Sequence, residues 1–166
     1  MMGVTHMIVG AAVGYLATQT VTGAVVGGTA ALLPDIDHPN SKLGRRVPIL
    51  PTVINKLVGH RTLTHSILVL FTLTGILYVT TSLSVTVAFF VGYLSHLILD
   101  SLTVSGVPFL YPFSRRNYGL RFCYTQGIFE KVFLIVFILG FAGYLVHTNS
   151  YLYEVFTMVQ EWFLLR

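Results

Sequence analysis

The ionisable residues of this 166-residue chain are confined to a few short clusters inside a strongly apolar sequence, and that confinement restricts what the chain can fold into. All three aspartates and five of the six histidines fall around His6, Asp35 to His38, His60 to His65, and His96 to Asp100. The chain is 54% hydrophobic and 10% charged, whereas soluble domains carry roughly 25% charged residues. An aspartate at the centre of a membrane helix costs about 2.5 to 3.5 kcal/mol. An apolar chain with aspartates at the ends of its apolar segments must offset that cost with a cation, a partner or water. The expectation is an all-α, polytopic membrane helical bundle of about four to five membrane helices, one domain over 1–166, with metal-dependent chemistry at the membrane surface.

Residues 4 to 33 carry no formal charge apart from any protonation of His6 and are interrupted by Thr18-Gln19-Thr20. One tilted helix of about 27 residues could cross here, or two short helices near 3 to 17 and 21 to 33 could form a hairpin. The hairpin is preferred because it returns His6 to the side of Asp35, whereas a single crossing separates them by roughly 30 Å of hydrocarbon. Gly10-x-x-x-Gly14 and Gly23-x-x-x-Gly27 suit close helix contact. A polar connection over 34 to 61 follows, with a short amphipathic stretch from Val53 to Val58 expected in the interface. Spans are expected from Leu63 to Thr80, from Ser84 to Leu102 and from Ile128 to Val146, with a turn near Ser82 and an amphipathic tail.

Charge sets the orientation. Of ten Lys and Arg, five lie between Lys42 and Arg61, four between Arg115 and Lys131, and one is Arg166. The positive-inside rule then puts both basic loops, and the His/Asp clusters with them, on the cytoplasmic side of a prokaryotic inner membrane. No Lys or Arg precedes Lys42, so the first apolar run lacks the basic start of a secretory signal and is expected to stay in the protein. The basic residues follow no DNA-binding motif, which argues against direct nucleic-acid binding. Cys123 is alone and is expected to serve packing.

His96 and Asp100 are four apart on a helix, on one face and about 6 Å apart along the axis. They suit one metal or adjacent metals, or a buried hydrogen-bonded pair. In Pro34-Asp35-Ile36-Asp37-His38-Pro39 the prolines limit helix, and the two carboxylates point the same way if the segment is extended. Paired carboxylates with imidazole suit Zn, with Mn or Fe as alternatives; a helix-ending turn with Asp as a cap is the bland reading. In His60-Arg61-Thr62-Leu63-Thr64-His65-Ser66, His60 can reach from the loop and His65 from the first turns of the next helix. Arg61 offers a positive fork for a phosphate oxygen. His6 is either a core histidine or a ligand, and its neighbour Thr5 could cap the first helix. His147 reads as an interface residue.

These residues resemble the YdjM-like family of inner-membrane metal-dependent hydrolases, also described as LexA-binding. The matching motifs are Thr5-His6, Leu33-Pro34-Asp35-Ile36-Asp37-His38, the His60 to Ser66 segment, Gly92-Tyr93-Leu94-Ser95-His96-Leu97-Ile98-Leu99-Asp100, and Tyr111-Pro112-Phe113-Ser114. The family looks distantly similar to the zinc-dependent phospholipase C and P1 nuclease fold. That resemblance implies His6, Asp35, His60, His65, His96 and Asp100 as metal ligands, with Asp37 and His38 as ligands or supporting groups, around one to three divalent ions. A glutamate ligand used in the soluble relatives has no counterpart in these motifs, because Glu130, Glu154 and Glu161 lie outside them.

The expected function is hydrolysis of a phosphoester in a lipid or lipid-linked substrate by metal-activated water. Asp37 would orient the water as general base and Arg61 would neutralise developing phosphate charge. Arg115 and Arg116 serve either an anionic headgroup or general membrane-surface electrostatics. The competing class is a metal-stabilised membrane protein that binds a cytoplasmic partner. A cation transporter is less favoured, because the candidate ligands gather on one side.

Overall fold

The computed structural model describes residues 1–37, 63–149, 153–158 and 160. These divide into two compact units, Met1–Glu130 and Lys131–Arg166. Among the described residues the regular elements are helices, with only isolated bridges pairing Thr103 with Cys123 and Val107 with Tyr118. The stretch from Val53 to Val58, with His38, His60 and Arg61, lies outside the described residues.

Residues 3–30 form a hairpin of two helices, α1 (Gly3–Thr18) and α2 (Val21–Ala30). The polar triplet makes the break. Gln19 takes a left-handed φ of 53°, and the Thr20 side chain caps α2 by accepting the Gly23 amide at 3.0 Å. Between the helices glycine is a steric requirement, since a Cβ on Gly14 would stand 2.2 Å from the Gly23 carbonyl oxygen. Thr5 does not cap α1: the N-cap position is Met2, and the Thr5 hydroxyl is used elsewhere.

Pro34–Asp37 is a 3-10 turn, so the extended arrangement expected to align Asp35 with Asp37 is not formed. Proline fixes φ near the helical value and lacks the N–H that a first turn leaves unused, so Pro34 starts this turn rather than preventing it.

Helix α3 (Ile67–Thr80) begins four residues after the hydropathy suggests, because Ser66 caps it by accepting the Val69 amide at 3.3 Å. Helix α4 (Leu83–Ser101) is capped by Ser82 in the same way. Within the first unit α4 is the central element. It packs against α1, α2 and α3, and Phe89, Tyr93 and Leu97 meet Ala30, Leu70 and Val107 in the core. Gly92 permits the α2 contact: a Cβ there would lie 2.3 Å from the Gly27 oxygen and 2.6 Å from its Cα.

Among the described residues, two helices are long and apolar enough to cross a membrane, α4 with 19 residues and α5 (Ile128–Thr148) with 21. Helices α1, α2 and α3 are shorter, with 16, 10 and 14 residues. Helix α5 exposes Val132, Ile135, Val136 and Leu139, as a lipid-facing helix would. His147 is exposed near its end.

Candidate metal centre

The buried polar groups of the first unit converge where three chain segments meet. The end of α4 supplies His96 and Asp100, which are brought onto its buried face by the helical repeat. The turn before α3 supplies His65. The 3-10 turn after α2 supplies Asp35. Among the described residues, one ligand atom from each of Asp35, His65, His96 and Asp100 lies within 4.8 Å of the others. His96 Nε2 stands 3.3 Å from His65 Nε2, 3.8 Å from Asp35 Oδ1 and 3.7 Å from Asp100 Oδ2. His65 Nε2 stands 3.8 Å from each of those two carboxylate oxygens.

This donor set fits a divalent cation. Four-coordinate zinc with bonds of about 2.0 to 2.2 Å spaces its ligand atoms by about 3.3 to 3.6 Å, a few tenths of an ångström from the distances above. The hydrogen bonds behind the rings agree. His96 Nδ1 faces the Ala31 carbonyl at 2.7 Å. A carbonyl can only accept, so Nδ1 carries the proton and a neutral ring turns the Nε2 lone pair towards the cluster. His65 Nδ1 meets the Thr64 hydroxyl at 3.1 Å, and the Thr64 carbonyl accepts from the Tyr93 hydroxyl. These contacts hold both rings with Nε2 inward.

His65, His96 and Asp100 are 0 to 1% exposed, whereas the Asp35 side chain keeps 19%. Asp35 is therefore the least enclosed member of the cluster.

His6 is brought to the site from the opposite direction. Its ring stacks on His96 with centroids 3.8 Å apart, and its Nε2 lies 3.1 Å from Asp100 Oδ1, the oxygen turned away from His65 and His96. The amino nitrogen of Met1 also contacts Asp100 Oδ1. Of the residues expected from sequence, His6, Asp35, His65, His96 and Asp100 are thus assembled. His38, His60, Arg61 and the side chain of Asp37 lie outside what is described.

Several supporting groups were not legible in the sequence. Glu130, in the first turn of α5 and assigned to no motif, is fully buried. Its Oε1 accepts the Met2 amide at 2.5 Å and the Thr5 hydroxyl at 2.8 Å, and Oε2 accepts the Gln126 amide at 2.7 Å. A lone acid opening an apolar helix was the available signal. The Ala31 carbonyl has no sequence signature at all.

A family model described as "YdjM inner membrane protein" matches residues 1–164. The chain is 35% identical over 164 residues to "Uncharacterized protein YvsG" of Bacillus subtilis (strain 168), covering 94% of this chain and 97% of that protein. It is 43% identical over 91 residues to "Inner membrane protein YdjM" of Escherichia coli (strain K12), covering 49% of this chain and 44% of that protein. The Shigella flexneri protein of the same name gives the same figures. No solved structure matches the chain.

Proposed function

The chain belongs to the YdjM inner membrane protein family, and from that premise and its buried Asp/His cluster we propose that it is a membrane-bound metal-dependent hydrolase acting on a phosphoester of a lipid or lipid-linked substrate. The observation that carries the reading is the convergence of Asp35, His65, His96 and Asp100 within 4.8 Å. A structural clasp alone would need no solvent access, whereas Asp35 is partly open. Zinc is the first choice of ion, with Mn or Fe as alternatives and one to three ions in all. A divalent cation held there supplies Lewis acidity towards a phosphoryl oxygen and lowers the pKa of coordinated water towards about 7.

The residues divide the remaining work. His65 and His96 present Nε2, with the His96 tautomer held by the Ala31 carbonyl and the His65 ring oriented by the Thr64 hydroxyl. His6 Nε2 stands beside Asp100 Oδ1, 3.1 Å away, and Oδ2 faces the cluster. Asp37 takes the water proton as general base, and Arg61 meets the phosphate charge, the roles that their motifs suggest. The three shorter helices complete a bundle of four to five membrane helices, with the site at the cytoplasmic boundary, as the basic loops favour.

One observation favours a second reading, a metal-stabilised module that binds a cytoplasmic protein partner. Three of the four clustered residues are almost wholly buried, and closed four-ligand sites are structural. The deciding experiment is elemental analysis of purified wild type beside His65→Ala and Asp100→Ala, with a phosphoester and phospholipid hydrolysis screen on the same samples. Bound metal with turnover lost in both variants supports the hydrolase. Bound metal without turnover supports the partner-binding module, and a folded wild type without metal rejects both.

A further inference from the structure

We propose that the segment between α4 and α5 is a platform seated in the membrane interface, where it binds the headgroups of anionic phospholipids. The proposal requires only that the chain is a membrane protein and does not depend on the chemistry of the metal centre.

The segment is built rather than loose. The Leu120 and Phe122 amides donate to the Ser101 and Leu102 carbonyls, both at 2.8 Å, which fixes the segment to the last turn of α4, beside Asp100. Val107 and Tyr118 exchange backbone hydrogen bonds of 2.8 and 2.9 Å across it, and the Ile67 amide donates to the Phe109 carbonyl at 3.0 Å. Arg121, between the two anchored amides, is held at a left-handed φ of 54°. A side chain pays for that conformation, and the surrounding bonds impose it.

What this framework displays is apolar. Phe113 is 87% exposed, Leu120 72%, Phe122 70% and Tyr124 75%. A soluble surface seldom gathers so many large apolar groups, whereas the membrane interface favours them. Charge identifies the occupant. Arg115, Arg116 and Arg121 are exposed in the same segment, and no aspartate or glutamate occurs between Asp100 and Glu130. Arg116 lies over the Tyr118 ring, 5.7 Å from its centroid, which holds the guanidinium beside an aromatic group. Three guanidinium groups among aromatic side chains match a bilayer surface rich in anionic lipid: the rings enter the acyl boundary and the arginines bind phosphate oxygens. Because the segment is anchored to the end of α4, the Asp/His cluster would then lie level with the headgroups.

The test uses the full chain in vesicles of phosphatidylcholine with or without phosphatidylglycerol. Trp162→Phe removes the native tryptophan, and Phe122→Trp or, independently, Phe113→Trp introduces a reporter at an exposed position. Blue-shifted emission, quenched strongly by lipid carrying a shallow nitroxide and weakly by aqueous acrylamide, is expected from both reporters. Phosphatidylglycerol retained with the purified protein is expected to fall when Arg115, Arg116 and Arg121 are all changed to Gln. Water-like emission quenched by acrylamide would overturn the proposal and assign the patch to a soluble protein partner. Unchanged phosphatidylglycerol retention in the triple variant would overturn the headgroup assignment.

Discussion

Glu130 Oε1 accepts the hydroxyl of Thr5 at 2.8 Å, one residue before His6, so a glutamate at the start of the last long helix fixes the first turn of α1 and the histidine that follows it. The pair is 125 positions apart in sequence. Glu130→Ala would leave the Met2 amide, the Thr5 hydroxyl and the Gln126 amide without their acceptor. The Thr5 hydroxyl is the buried one of the three, and orphaning it costs about 1 to 3 kcal/mol. At about 2 to 4 °C per kcal/mol for a chain of this size, the melting temperature should fall by several degrees. Glu130→Gln keeps one accepting oxygen and should lie between alanine and wild type. Thermal unfolding in detergent that ranked glutamine with alanine, or alanine with wild type, would contradict this account of the carboxylate.

The glycine contacts make a paired prediction. Gly92 abuts Gly27 so closely that a methyl group would overlap backbone atoms, whereas nothing lies within 4 Å of a Cβ placed on Gly75. Gly92→Ala should therefore separate α2 from α4, displace Asp35 from His96 and lower the yield of folded protein. Gly75→Ala should be neutral or slightly stabilising, because alanine exceeds glycine in helix propensity by about 1 kcal/mol. Comparable size-exclusion profiles for the two variants would sink the argument.

How much of this was legible in the sequence depended on range. His96 and Asp100 could be placed on one face because a helical repeat relates them, and the Thr18-Gln19-Thr20 interruption did mark a hairpin. The approach of Asp35 and His65 to that pair is tertiary; the motifs named the residues without supplying the 4.8 Å cluster. The extended reading of Asp35 and Asp37 failed because Pro34 starts a 3-10 turn. Hydropathy places the start of α3 four residues early because it does not register the Ser66 cap. The role of Glu130 was not legible because two of its partners, Met2 and Thr5, lie at the other end of the sequence.

Thr64 offers a test of the metal centre that leaves every ligand in place. Its hydroxyl stands 3.1 Å from His65 Nδ1. Removing a group that orients a metal-ligating histidine typically weakens metal affinity about 10- to 100-fold. Thr64→Val keeps the shape of the side chain and should show that loss in a competition titration with a chromophoric zinc chelator. Affinity equal to wild type would mean that packing alone orients the ring.

Cys123 is 3% exposed, with Sγ 3.6 Å from the Leu102 carbonyl. Burial, and then the charge of Glu130, push its thiol above the ordinary cysteine range. The thiolate is the nucleophile, so the folded protein should react slowly with maleimide, and denaturing detergent should release the reaction. The sign for stability follows from the raised folded pKa. The contribution of the neutral thiol is complete below the unfolded value of about 8.5 and is lost as pH rises through the folded one. Wild type should therefore lose stability in alkali more steeply than Cys123→Ser. The same burial makes Cys123 a poor reporter of sidedness, whereas Thr125, two residues on, is exposed. In a Cys123→Ser background, Thr125→Cys should resist a membrane-impermeant maleimide in intact cells and react after permeabilisation if the basic loops face the cytoplasm. Labelling from outside intact cells would reverse that orientation and put the Asp/His cluster at the opposite surface.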